Sequence, residues 1–176
     1  MADNKTGLVI TAHPGDFVWR AGGAIALHAK RGYRVKIVCM SYGERGESQF
    51  AWKEPGATLE KVKAGRKDEA ERAAKLLGAE IEFFDCGDYP LKLNDTHFDR
   101  MVDIYRELNP SFVLTHALED PYNLDHPNAA HFAQETASWP RRWATSPAQN
   151  TSIPRPRYFC SSRTSRRCAT TSPTSF

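Results

Sequence analysis

Apolar residues recur along the chain in two alternating patterns. Four short runs rich in β-branched residues predict buried strands, and the segments between them carry apolar positions at helical spacing. Strands that alternate with helices indicate right-handed βαβ units and a parallel sheet covered on both faces. The predicted fold is therefore α/β, a Rossmann-like three-layer sandwich with a mainly parallel sheet. The predicted strands are 7–13, 34–41, 79–85 and 111–116, and the predicted helices are 19–31, 59–78, 95–109 and 126–138.

The polar residues that could carry chemistry follow the predicted strands. In open parallel sheets, ligands bind beyond the carboxyl ends of the strands, near the point where the strand order reverses. Three segments are expected at that edge: residues 13–16 after the first strand, 43–48 after the second and 119–126 after the fourth. The first strand is followed by neither a GxGxxG nor a Walker-type loop, which weakens a dinucleotide or P-loop hypothesis.

His13 and Asp16 flank a Pro-Gly turn directly after the first strand. An imidazole and a carboxylate on one tight turn can converge on an ion, and a third ligand from another loop would complete a catalytic zinc site with an open position for water. His126, at the start of a helix, is the expected third ligand. The predicted cofactor is Zn²⁺, with another divalent ion as the alternative. The competing interpretation is a strand-end histidine with Asp16 as a helix cap.

The composition is that of a globular protein, with 40% hydrophobic and 26% charged residues in a chain of 176. That length allows one compact domain with a core of its own. No apolar run approaches the roughly 18–20 residues that cross a bilayer, and the N-terminus lacks a signal-peptide pattern. We therefore expect a cytoplasmic protein without a membrane partner. The four cysteines form no CxxC pair, and Cys39 and Cys86 are expected to be buried free thiols.

Residues 139–176 differ sharply from the rest of the chain. They hold seven Arg and no acidic residue, and Arg, Ser, Thr and Pro make up 25 of these 38 residues, whereas residues 1–138 have a net charge of −4. We predict a catalytic domain over 1–138 and an aberrant basic tail over 139–176. One hypothesis is a tail that binds nucleic acid. Two tryptophans, a Tyr-Phe pair and two cysteines fit that hypothesis poorly, so no nucleic-acid partner is expected.

The second hypothesis for the tail is a shifted reading frame. When GC-rich codons are chosen for the tail and read one base earlier, they encode ordinary globular text with a helix, a strand and a histidine. We therefore expect a single-base frameshift near residue 138 of a longer gene, which sequencing of the source DNA would test. The chain as written would lack the last strands of the domain, and its turnover would be slow or absent.

Four segments together resemble the LmbE/PIG-L family of zinc-dependent N-acetylglucosaminyl deacetylases. They are AHPGD at 12–16, YGERGES at 42–48, RKDEAERAAKLLG at 66–78 and DPYNLDHPNAAH at 120–131, and the resemblance runs over residues 7–138. The usual motifs of this family are AHPDD and HPDH. The resemblance implies an LmbE-like fold and makes His13, Asp16 and His126 the metal ligands.

The chain departs from the family pattern at two positions. Gly15 stands where the deacetylases keep the Asp that acts as general base, and Asn123 stands where the first His of HPDH is expected. These departures, with FVWRAGGAIALH, GERGES and EPGATLEKVKA, resemble the 4-oxalomesaconate hydratase branch, which acts in gallate and protocatechuate degradation. The resemblance implies a hydro-lyase that adds water to an unsaturated keto-tricarboxylate. A zinc-dependent N-acetyl deacetylase is the alternative, and Gly15 weakens it.

Hydration also requires acid/base and substrate-binding groups. With a glycine at position 15, the expected acid/base residue is Glu47, with Glu44 as the second candidate. A small-molecule substrate with several carboxylates requires cations and hydrogen-bond donors. The candidates for substrate binding are Arg20, Arg45, Arg66 and Asn123.

Other polar residues near the expected site are assigned supporting roles. Asp88 and Asp120 are expected to orient a metal-bound histidine. His116 ends the fourth strand close to the site and is expected to be structural, as are the histidines at positions 28, 97 and 131. The sequence leaves open whether the chain forms a homo-oligomer.

Overall fold

A parallel sheet lies at the centre of the fold. The structure, a computed structural model, describes residues 5–142 and 157–160. The strand order is β3-β2-β1-β4-β5, and every pair of neighbouring strands is parallel. The order reverses between β1 and β4, which is where a sheet of this kind opens a crevice for ligands. The strands are β1 (Thr6–Thr11), β2 (Arg34–Cys39), β3 (Glu80–Phe83), β4 (Phe112–Thr115) and β5 (Arg157–Cys160).

Helices connect successive strands and cover both faces of the sheet. They are α1 (Pro14–Asp16), a π-helical turn (Phe17–Ala21), α2 (Gly22–Lys30), a 3₁₀ turn (Ala51–Lys53), α3 (Leu59–Leu77), α4 (Asp95–Leu108) and α5 (Asp125–Arg142). Leu8 and Ile10 of β1 pack with Met101 of α4 on one face, while Val9 packs with Ile25 of α2 on the other. Because both faces of β1 are buried, its apolar run is continuous rather than alternating. The predicted three-layer α/β fold is confirmed.

The first helical segment begins earlier than the apolar spacing predicts. Helix was expected from residue 19, but the chain turns into α1 at Pro14 and reaches α2 through the π-helical turn. Pro14 suits the first helical position because it has no N–H to leave unpaired. The N–H of His13 donates to Asp16 Oδ2 at 3.0 Å, so this carboxylate also closes the first turn. The early start brings Asp16 back towards the end of β1.

The tail contributes two pieces to the described structure. Helix α5 continues past residue 138 to Arg142, and β5 pairs with β4, with Arg157 opposite Phe112 and Cys160 opposite Thr115. The expectation that the tail lacks the last strands therefore does not hold for 157–160. The rest of the tail lies outside the described residues, and the frameshift near residue 138 stays a prediction.

Two compositional expectations can be compared with the described part of the chain. Within it, no helix combines the length and the apolar character needed to cross a membrane. Cys39 and Cys86 are buried and carry no disulfide, as predicted. Burial raises the pKa of the Cys86 thiol to about 12, so this cysteine stays protonated and unreactive at neutral pH.

Candidate metal centre and active site

The three predicted metal ligands meet at the carboxyl ends of β1 and β4. His13 follows β1, Asp16 ends α1 and His126 lies in the first turn of α5. All three are buried, and one ligand atom from each lies within 4.8 Å of the other two. Asp16 is in the middle, with Oδ2 at 3.2 Å from His13 Nδ1 and Oδ1 at 3.3 Å from His126 Nε2. Two imidazole nitrogens and a carboxylate oxygen form a donor set that suits zinc or a similar divalent ion.

A carboxylate holds the far nitrogen of each histidine. Asp125 Oδ2 lies 3.1 Å from His13 Nε2, and Asp120 Oδ2 lies 2.8 Å from His126 Nδ1. Because an ionised carboxylate can only accept, each of these nitrogens carries the proton. The metal-binding nitrogens would then be His13 Nδ1 and His126 Nε2, which both lie beside Asp16. Carboxylates that orient metal-bound histidines in this way are common in metalloproteins.

Burial and hydrogen bonding act in opposite directions on the pKa values of His13 and Asp16. Burial would lower the pKa of His13, but hydrogen bonds with Asp16 and Asp125 raise it above its ordinary value. Burial would raise the pKa of Asp16, but hydrogen bonds from His126 and His13 hold it far below its usual range. A positive charge is therefore favoured among these ligands, whether it is a proton or a metal ion. The residues fit a bound divalent cation.

His116 is closer to this group than a purely structural histidine would need to be. Its ring stacks on that of His126, with centroids 4.1 Å apart and an angle of 6° between the planes. Its Nε2 accepts a hydrogen bond from the backbone N–H of Ala12 at 3.0 Å. Burial lowers the pKa of His116 to about 3, so the ring is neutral and adds no charge beside the ligands. It supports His126 and ties β4 to the end of β1.

Glu47 reaches the site because position 15 has no side chain. Its Oε2 accepts the N–H of Gly15 at 2.9 Å. A Cβ atom added at Gly15 would lie 2.6 Å from Glu47 Oε1, closer than real Cβ contacts come. The carboxylate of Glu47 thus occupies the space that a side chain at position 15 would fill. Arg66 Nη2 lies 3.1 Å from the same Oε2 and steadies it.

Glu44, the second candidate base, lies apart from the ligand group. Its side chain is buried, accepts the backbone N–H of Tyr42 at 3.2 Å and lies 3.9 Å from Lys63 Nζ. The indole of Trp52 donates to its backbone carbonyl. These contacts place Glu44 in the internal packing of the loop after β2, and Glu47 is the glutamate that contacts the turn carrying the metal ligands.

Asp88 differs from its predicted role as a partner of a histidine. Its carboxylate accepts the backbone N–H groups of Arg45 and Gly46, with Gly46 N at 2.7 Å from Oδ2. It therefore fixes the loop after β2 rather than a ligand. The carboxylates that contact the candidate ligand histidines belong to Asp120, a predicted partner, and to Asp125, which sequence reasoning missed. Asp125 precedes His126, but nothing local indicates that it faces His13.

The three candidate arginines make different contacts, and only Arg20 contacts a candidate ligand directly. Arg20 Nε lies 3.4 Å from Asp16 Oδ1, and both residues line a cavity of about 170 Å³ with apolar walls. Arg66 contacts Glu47, as described above. Arg45 is exposed, and its guanidinium donates to the backbone carbonyl of Asp88 at 3.2 Å. Arg20 and Arg66 can therefore offer guanidinium donors to an anionic ligand near Asp16 or Glu47, whereas Arg45 contacts the loop after β3.

Asn123 contacts His126, one of the candidate metal ligands. Its Nδ2 lies 3.1 Å from His126 Nε2, and its Oδ1 accepts the N–H of Asp125 at 3.0 Å. The same Nδ2 donates to the hydroxyl of Tyr89 at 2.8 Å. The ring of Tyr89 stacks on His13, with centroids 5.2 Å apart. Tyr89 was not among the predicted site residues, and no sequence motif marks it.

Comparison with known proteins finds hydratases that are similar to this chain in sequence and in fold. A 4-oxalmesaconate hydratase of Pseudomonas putida is 56% identical over 131 residues, which cover 74% of this chain and 51% of the relative. The crystal structure of GalB, the 4-carboxy-2-hydroxymuconate hydratase of Pseudomonas putida, matches with a TM-score of 0.74 and 55% identity over 76% of this chain and 55% of that one. The chain thus spans about half the length of these relatives.

Deacetylases also share the fold. N,N'-diacetylchitobiose deacetylase from Pyrococcus horikoshii matches with a TM-score of 0.71 and 27% identity, over 84% of this chain and 54% of that one. The family model described as PIG-L, GlcNAc-PI de-N-acetylase, matches residues 8–137, which include every ligand of the candidate metal centre. The chain belongs to the PIG-L (GlcNAc-PI de-N-acetylase) family.

Proposed function

We propose that this chain carries the metal site of a zinc-dependent hydratase. The reaction would add water to the conjugated double bond of an unsaturated keto-tricarboxylate of the 4-oxalomesaconate type. The observation that carries the proposal is the contact between Glu47 and Gly15, because it places a carboxylate of another loop against the turn that holds His13 and Asp16. The 56% identity to a 4-oxalmesaconate hydratase supports the same reaction class.

Position 15 separates hydration from amide hydrolysis. By the family resemblance, deacetylases keep their general base there, on the same turn as two ligands. In this chain that position is a glycine, and Glu47 enters from the loop after β2. A base that approaches from another direction would activate water towards a different part of the substrate. This relocation supports a hydro-lyase.

Glu47 would act as the proton carrier of the hydration. When bound, a divalent ion polarises a keto oxygen of the substrate and makes the conjugated double bond more electrophilic. Glu47 takes a proton from water as the water oxygen bonds to one alkene carbon. A proton returns to the other alkene carbon, so the net change is the addition of one water molecule. Arg66, whose Nη2 lies 3.1 Å from Glu47 Oε2, holds the carboxylate in position through an ion pair.

The charge around the site suits a polycarboxylate. Arg20 lines the cavity beside Asp16, Arg66 lies next to Glu47, and Asn123 offers an amide donor at His126. Guanidinium groups bind carboxylates through paired hydrogen bonds. We propose that at least one of these arginines binds a substrate carboxylate. The cytoplasmic location and the oligomeric state stay predictions.

A deacetylase that acts on an N-acetylated sugar is the second candidate. The 27% identity to a diacetylchitobiose deacetylase and the match to the PIG-L family model favour it. A glycine at position 15 counts against it, because the family base would be missing. Loss of the alkene absorbance of 4-oxalomesaconate, against release of acetate from N-acetylglucosamine derivatives, separates the two. Acetate release without alkene loss would overturn the hydratase proposal.

The metal can be tested without turnover. Elemental analysis of purified protein should find about one zinc per chain, and the variants His13→Ala and Asp16→Ala should both lose it. The exposed His131 provides the matched control, since His131→Ala removes an imidazole from the surface of α5. Unchanged zinc in both ligand variants would contradict the assignment.

A further inference from the structure

The loop after β3 places Tyr89 beside the candidate metal centre, and hydrogen bonds fix the backbone of this loop. The backbone N–H groups of Tyr89 and Leu91 both donate to the carboxylate of Asp125, at 2.8 and 2.9 Å. Tyr89 has a positive φ of 46°, a conformation that is unfavourable for a bulky side chain. Such backbone conformations persist where the surroundings fix them, and they cluster at functional sites. Asp125 therefore holds Tyr89 through its backbone and His13 through its ring.

The side chain of Tyr89 is as closely placed as its backbone. Its ring stacks on His13, with an angle of 10° between the planes, and one edge of the ring lies against Gly46. A Cβ atom added at Gly46 would overlap Tyr89 Cε2, so the ring fits only because position 46 has no side chain. The residue is still 48% exposed. A large aromatic side chain thus lies over a metal ligand with one surface open to a ligand.

The hydroxyl of Tyr89 has a donor left to offer. It accepts the Nδ2 of Asn123 at 2.8 Å, and an ordinary phenol, with a pKa of about 10, keeps its own proton at neutral pH. The orientation of the Asn123 amide is fixed because its Oδ1 accepts the N–H of Asp125. Its second Nδ2 proton points to His126 Nε2 at 3.1 Å. A cation bound at that nitrogen would take its lone pair and leave this proton without an acceptor.

We propose that Tyr89 is a further substrate-contacting residue, whose hydroxyl acts with the Asn123 amide as a pair of donors for one carboxylate of the substrate. This inference rests on the proposed function, because it requires an anionic substrate at the metal centre. The donor pair lies beside His13 and His126, while Arg20 contacts Asp16 and Arg66 contacts Glu47. A substrate with several carboxylates would therefore be held from more than one direction.

The test compares Tyr89→Phe with Tyr122→Phe in the full, metal-loaded chain. Tyr89→Phe removes the hydroxyl and keeps the ring on His13, whereas Tyr122, 95% exposed on the loop before α5, is the matched control. Calorimetry with tricarballylate, a saturated tricarboxylate that cannot be hydrated, measures binding apart from turnover. We expect a loss of affinity of about 10- to 100-fold for Tyr89→Phe, typical of a hydrogen bond to a charged group, and none for the control.

A second variant moves the same hydroxyl without changing its chemistry. Gly46→Ala should push the ring away from its place, so it should weaken tricarballylate binding in the wild-type background and add little to Tyr89→Phe. Zinc content and far-ultraviolet circular dichroism must match the wild type in each variant.

The outcomes separate this inference from the proposed function. Equal tricarballylate affinity in Tyr89→Phe and wild type, or no binding to the wild type, would overturn the role of Tyr89. Loss of binding in Tyr89→Phe, in a chain that releases acetate from N-acetylglucosamine derivatives and leaves 4-oxalomesaconate unchanged, would support Tyr89 as a carboxylate contact and reject the hydratase. For an active chain, Tyr89→Phe should raise KM more than it lowers kcat.

Discussion

The contact between Gly15 and Glu47 can be tested by adding a single carbon atom. In Gly15→Ala, the new Cβ would lie 2.6 Å from Glu47 Oε1 and 3.1 Å from Cδ. Those distances are too short to persist, so the carboxylate must move away. Its hydrogen bond from the N–H of residue 15, now 2.9 Å, would lengthen or break.

The change in the free energy of unfolding on Gly15→Ala is the balance of two opposing contributions. Replacing a glycine by alanine where the backbone is compatible stabilises a protein by about 0.4–1 kcal/mol, through the unfolded chain. Loss of a hydrogen bond to a charged acceptor costs about 1.5–3 kcal/mol, and the partial exposure of Glu47 favours the lower end. We expect Gly15→Ala to lower the free energy of unfolding by about 1 kcal/mol. In a Glu47→Ala background, where no carboxylate meets the new Cβ, Gly15→Ala should instead raise the free energy of unfolding by about 0.5 kcal/mol.

Urea unfolding of the wild type, Gly15→Ala, Glu47→Ala and the double variant measures whether the effect of Gly15→Ala on the free energy of unfolding changes sign. Gly15→Ala should also lower kcat about 100-fold, because a shift of roughly 1 Å misplaces the proton carrier. The absorbance of the conjugated alkene follows that activity. If Gly15→Ala is more stable than the wild type while Glu47 is in place, the two residues do not compete for one space and the reasoning is refuted.

Three further predictions concern the metal and the response to acid. His13→Ala should abolish zinc binding and His131→Ala should preserve it, as elemental analysis would report; equal loss in both would point to a folding defect. Asp120→Asn, which weakens the 2.8 Å contact to a ligand nitrogen, should lower zinc affinity about 10- to 100-fold in a chelator competition, and unchanged affinity would contradict its orienting role. Burial opposes ionisation of Glu82, but hydrogen bonds from Arg100 and a lysine lower its pKa. The ionised carboxylate therefore stabilises the fold at neutral pH, and this stabilisation is lost as pH falls through the lowered pKa. The difference in unfolding free energy between wild type and Glu82→Gln should shrink in acid, and a difference independent of pH would exclude this ion pair as its cause.

The fold could be predicted because its signals are local. The β-branched runs gave the first four strands, and capping residues mark helix ends: Thr58 accepts the N–H of Lys61 at the start of α3, and Gly78 ends it with a φ of 76°. The start of the first helix could not be predicted from apolar spacing, because α1 forms on a short turn that the carboxylate of Asp16 closes. β5 could not be predicted either, because the apolar run in Arg157–Cys160 is only three residues long and lies in a basic segment rich in Ser, Thr and Pro.

The sequence by itself determined which residue types are available to bind a metal and that they follow parallel strands, because these properties depend only on neighbours along the chain. Only the tertiary structure decided which carboxylate faces which nitrogen. Asp125 is 112 positions from His13, and Glu47 is 32 positions from Gly15. Contacts over such separations depend on strand order and on the space left by single glycines, so Asp125 and Tyr89 emerge only when β1 and β4 lie side by side.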